Sequence, residues 1–108
     1  MKKQPELFFK HMQIAIEQIE KYIEGHNESS FKKEDKTVDA VIRQLEILGE
    51  AAGKIDDRLT KDSPIPWNKI TGIRHKLIHD YFGVDLDIVW KTVSEGLSPL
   101  KKYLSKKI

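Results

Sequence analysis

Apolar residues recur at spacings of three and four in four long runs, and no stretch alternates convincingly with the period of two that a half-buried strand requires. That pattern restricts the chain to helices packed on one another. From residue 6 to about 24 the run is carried by Leu7, Met12, Ile14, Ala15, Ile16, Ile19, Tyr22 and Ile23. Pro5 suits the first turn of such a helix and Gly25 its stop. A second run, from about 35 to 55, places Val38, Val41, Ile42, Leu45, Leu48, Gly49 and Ala52 on one stripe. Asp39, Arg43, Glu46 and Glu50 form another stripe beside it. Gly49, Ala52 and Gly53 leave this helix thin near its end, which predicts close approach of another backbone. A third helix is expected over about 67–79. A fourth, over about 85–104, has Leu86, Val89, Trp90, Val93, Leu97, Leu100 and Leu104 at helical spacing, with a bend or interruption at Ser98 and Pro99.

The connections are polar. "GHNESSFKKEDK" holds Phe31 as its one strongly apolar residue and reads either as a loop or as the frayed start of the next helix. "DDRLTKDSPIPW" carries two prolines and reads as a break, with room for one short helical turn near 56–59. The predicted architecture is all-α, an up-and-down bundle of four main helices with a fifth, short one as its optional element. A chain of 108 residues with 39% hydrophobic content supports one core and leaves no room for a second domain. The 19 basic against 17 acidic residues do not by themselves call for an anionic partner. With no cysteine, disulfides, thiolate metal sites and cysteine nucleophiles are all excluded, which fits a reducing compartment. No segment resembles a signal peptide or approaches the ~20 apolar residues of a membrane span, so the expected setting is soluble and cytoplasmic.

Chemistry concentrates in "GIRHKLIHDYFG", which runs from Gly72 to Gly83. On a helical wheel Arg74 falls inside the apolar arc of Trp67, Ile70, Ile73, Leu77 and Ile78, while Asn68, His75 and His79 lie together roughly 100–140° away. A guanidinium cannot deprotonate to escape burial, so Arg74 needs a carboxylate, a phosphate or solvent, and Asp39, Glu46 and Glu50 are candidate partners. His75 and His79 are four apart, the spacing of metal ligands on one helix face, but the remaining ligands would have to be Asp80 or the distant His11. The plainer reading makes both histidines end-of-helix residues favoured by the macrodipole. A third reading is metal-free phosphodiester chemistry. Imidazole exchanges a proton near neutral pH, guanidinium neutralises phosphoryl charge, and RNA supplies its own nucleophile in the 2′-hydroxyl. Tyr81 alone reads as a partly buried aromatic with a wet hydroxyl, Trp67 and Trp90 as packing, and "KKYLSKKI" as a solvated helix end.

"RHKLIHDY" has the form Arg-x4-His-x-Tyr, and it sits within "IPWNKITGIRHKLIHDYFGVDLDIVW". This region resembles the signature of the HepT-like branch of the HEPN domains, and "DAVIRQLEILGEAAGKI" is similar to the second long helix of that group. The likeness spans nearly the whole chain and is weakest over 25–36, so residues 1–108 would be one HepT-like helical domain. The resemblance implies a dimeric ribonuclease toxin, paired with a minimal nucleotidyltransferase antitoxin that transfers AMP to the motif tyrosine. Carried onto this chain, Arg74 and His79 are the catalytic pair, His75 the polar residue after the arginine, and Tyr81 the AMP acceptor. Asparagine is common where His75 stands, which leaves the role of His75 open. The mechanism expected is RNA cleavage without metal or cofactor. The competing class is a non-catalytic HEPN module that binds nucleotide or docks a nucleotidyltransferase.

Overall fold

The computed structural model describes residues 5–60, 63, 65–79 and 84–107, with the side chains at 57, 59 and 74–79 outside that description. The first helix, α1, runs Pro5–Ile23 and turns its apolar stripe inward through Met12, Ile16 and Ile19, all fully buried. Gly25, at φ +81°, takes the left-handed conformation that stops a helix and that a side chain at this position would oppose. Leu7 and Ile14, also part of the apolar run, lie seven apart on the outer side and are about half exposed.

The connection whose reading was open forms a short helix, α2, Glu28–Lys32. It is set by a reciprocal cap. The Ser30 N–H donates to Asn27 Oδ1 at 2.9 Å and the Asn27 N–H donates to Ser30 Oγ at 3.0 Å. Phe31 is wholly buried, its ring 5.2 Å from that of Trp90. Lys32 bridges α2 to Asp87, whose hydrogen bond first and charge second raise the lysine pKa.

The helix α3, Asp35–Gly53, carries the predicted stripe, and Val41, Leu45 and Leu48 are buried. It stops short of the expected residue 55 because the Lys54 N–H turns back onto the Ala51 and Ala52 carbonyls, although Ile55 remains buried. The thin end does receive a neighbour: a Cβ at Gly53 would stand 3.9 Å from Thr71 Cγ2. A single turn, α4, Asp57–Thr60, occupies the break. Then come α5, Trp67–His79, as expected, and the composite last rod: α6, Leu86–Lys91, a π-helical turn over Thr92–Gly96, and α7, Leu97–Ser105. Asp85 caps α6 through the Asp87 and Ile88 N–H groups.

The interruption in this rod precedes Ser98 and Pro99. Pro99 has no N–H for the carbonyl four residues back, at Glu95, and the Thr92 and Ser94 hydroxyls donate to the Ile88 and Trp90 carbonyls. The turn that loses its α-helical partner therefore widens. In the bundle α1 packs on α3, α3 on α5, and α1 on α7, with α2 seated against α3 and α6. No charged or polar side chain is buried among the described residues. None of the described helices is long and apolar enough to cross a membrane.

Candidate active site

The site is assembled on α5. Its first turn is fixed by the Lys69 and Ile70 N–H groups, which donate to the Pro66 carbonyl at 3.0 and 3.2 Å. The Thr71 hydroxyl folds back onto the Trp67 and Asn68 carbonyls. Ile70 anchors the inner side in the core, with Trp67 and Ile73 half-buried beside it. The Trp67 ring meets Tyr103 edge-on at 5.6 Å, and Trp90 packs on Phe31. Both tryptophans therefore pack, as the sequence suggests.

Arg74, His75 and His79 all lie on the C-terminal half of this regular helix. At ~1.5 Å rise per residue, His75 and His79 are about 6 Å apart along the axis and one turn apart on one face. Arg74 is offset by about 100° toward the packed side. The side chains of these three residues lie outside the described set, as do Asp80 and Tyr81 altogether. Two of the acids proposed to meet Arg74 have other partners: Glu46 approaches Arg43 at 3.9 Å and Glu50 approaches Lys54 at 3.6 Å. Asp39 is exposed. No three metal-ligating side chains converge among the described residues. His11, the distant ligand candidate, is exposed on α1 with its ring edge-on to Phe8 at 6.1 Å.

Two cavities open at the head of α5. One, of about 550 Å³, is lined by Arg58, Thr60, Ser63, Trp67, Asn68 and Lys69. The other, of about 280 Å³, shares Thr60, Trp67 and Asn68 and adds Gly53 and Thr71. Arg58 is engaged by Asp56 at 2.7 Å, whose hydrogen bond and charge hold the guanidinium still more firmly protonated. Lys69 is exposed and makes no ion pair among the described residues. A third, mostly apolar groove of about 500 Å³ lies between α5 and the π-bulged rod, walled by Ile70, Ile73, Ile88, Leu97 and Pro99. Sequence reasoning placed Asn68 on the histidine face but gave it no role, and it passed over Lys69. The spacing of four, three and four through Asn68, Gly72, His75 and His79 was the available signal.

The family described as ribonuclease HepT-like matches residues 12–106. The chain is 40% identical over 107 residues to a protein of Thermococcus cleftensis named "Probable ribonuclease HepT", an overlap of 98% of this chain and 97% of that one. It is 33% identical over 105 residues to a candidate RNase of Caldanaerobacter subterraneus, covering 96% of this chain and 94% of that protein. No solved structure matches the chain. Fold and relatives agree on a class, the small all-α ribonucleases. The chain belongs to the HepT-like ribonuclease family.

Proposed function

We propose that this chain, with residues 1–108 as a single HepT-like domain, is a metal-independent RNA endonuclease and the toxin of a toxin–antitoxin pair. The observation that supports this most is that one unbroken helix, α5, spans positions 74, 75 and 79, the last two a helical turn apart, in a chain of ribonuclease descent. In this reading His79 moves a proton at the 2′-hydroxyl or at the leaving oxygen. Arg74 offsets the charge that builds on the phosphoryl oxygens. His75 orients the substrate or shares the proton transfer. Two copies related by a two-fold axis bring their motifs into one basic cleft, so the edge of the arc, where Arg74 stands, becomes an interface while Ile70 stays in the core. The setting is cytoplasmic, and the antitoxin is a minimal nucleotidyltransferase. Its reaction joins the Tyr81 Oη to the α-phosphorus of ATP, releases pyrophosphate and loses the phenolic proton. The AMP phosphate then sits two residues from His79 and competes with substrate phosphate.

Native mass spectrometry after incubation with the partner transferase and ATP tests the assembly and the modification together. The expected spectrum is a dimer that gains AMP in the wild type and none in Tyr81→Phe, while Tyr81→Phe still cuts RNA. A monomeric mass would refute the shared cleft, and equal AMP gain in both proteins would place the acceptor elsewhere.

A further inference from the structure

Asn68, Gly72, His75 and His79 occupy one stripe of α5, at successive spacings of four, three and four. Within that stripe Gly72 is anomalous. It lies inside a thirteen-residue helix, where glycine is a poor helix former compared with alanine. Its φ is not positive, so no backbone conformation demands it. Packing among the described residues does not demand it either, since a Cβ built there would meet none of them within 4 Å, and the residue is exposed. A residue that weakens its helix and has no reason among the described residues for being small points outward, to something that comes close to the backbone.

What lies on either side indicates the visitor. Toward the C-terminus the stripe continues into His75 and His79. Toward the N-terminus it reaches Asn68, which walls both cavities at the head of α5. The axial distance from Asn68 to His75 is ~10 Å, a short reach along a single nucleic-acid strand. Beside Asn68, Lys69 offers an ammonium with no carboxylate partner among the described residues, suited to a phosphate. Trp67 walls both cavities, and an indole face is a surface on which a base can stack. Phosphate, ribose and a base with acceptor atoms are the groups that such a row accommodates.

We propose that the exposed surface at Gly72 is a gap through which the sugar–phosphate backbone of single-stranded RNA runs from His75 to a second subsite, where Asn68 and Lys69 hold the flanking phosphate and the Trp67 cavities receive the flanking base. The proposal rests on the ribonuclease reading for its ligand, but it makes a separate claim about binding. The full chain carrying Gly72→Ala tests it, using a short fluorescein-labelled single-stranded RNA for binding and an unlabelled one for cleavage. A methyl group there should raise the melting temperature by about 4 °C or more, as glycine replacement in a helix does. The same methyl group should weaken RNA binding and raise KM about tenfold with little change in kcat, the pattern of lost ground-state and transition-state contact alike. Lys69→Ala should lower the slope of log affinity against log salt by about one, while Lys10→Ala on α1 should leave it unchanged.

A stabilised Gly72→Ala with unchanged RNA affinity overturns the track, as does a lower melting temperature, which would make the glycine structural. An unaltered salt slope for Lys69→Ala removes the phosphate contact. A wild type that binds RNA in this Gly72-dependent way but never cleaves it would defeat the catalytic reading and leave the track standing. Cleavage indifferent to Gly72 would do the reverse, and a wild type that neither binds nor cuts RNA would end both.

Discussion

His79→Ala is expected to lower RNA cleavage by about 10²–10⁴-fold, the usual contribution of a positioned general acid or base. Helix content and melting temperature should barely move, because the neighbours of His79 on its stripe, Asn68 and Gly72, face solvent. Arg74→Ala should cost about 10²–10³-fold in kcat if the guanidinium acts on developing phosphoryl charge. Arg74→Lys keeps the charge but loses the planar fork, so it should recover only part of that loss. Steady-state cleavage together with far-UV circular dichroism reads both effects. A His79→Ala protein that unfolds would make the histidine structural, and one that cleaves normally would remove it from the mechanism.

Phe31→Ala has the largest expected effect on stability. The ring is fully buried against Trp90, at the point where α2 joins α3 to the last rod. Deleting a buried phenyl group typically costs about 3–5 kcal/mol, from lost transfer energy and the cavity left behind. That is a large part of the ~5–15 kcal/mol that holds a domain together. The melting temperature should fall by more than about 12 °C, with Trp90 fluorescence shifting as its ring loses a neighbour. Denaturant unfolding that places the loss below about 1 kcal/mol would show that the surrounding side chains collapse into the space.

Phe31 also shows where sequence reading stops. The helices α1, α3 and α5 were legible because each repeats its apolar residues over many turns and has punctuation such as Pro5 and Gly25. With five residues and one apolar side chain, α2 offers no period. It is held by a cap formed between Asn27 and Ser30 and by contact with Trp90 far along the chain, and periodicity reports neither. Pro99 was visible as a helix breaker, but its consequence falls upstream, because the hydrogen bond it cannot make belongs to the carbonyl of Glu95. At the site, spacing singled out Arg74, His75 and His79 as candidates, and their roles, with that of Tyr81, came only from the resemblance to the HepT-like group. The same spacing reaches Gly72 and Asn68, but a glycine within a helix suggests function only once the space around it is seen to hold none of the described residues and cavities are found beside its stripe.

The central claim is that Arg74 and His79 cleave RNA through its own 2′-hydroxyl, without a metal. It is tested most directly by comparing, in excess chelator, an RNA oligonucleotide with the same oligonucleotide carrying one 2′-deoxy sugar at the cut position. Undiminished cleavage of the RNA and none at the deoxy position is the expected result, because imidazole and guanidinium supply the proton transfer and charge stabilisation while the nucleophile comes from the substrate. Cleavage that disappears in chelator and returns with added divalent metal, or that continues at the deoxy sugar, would contradict it.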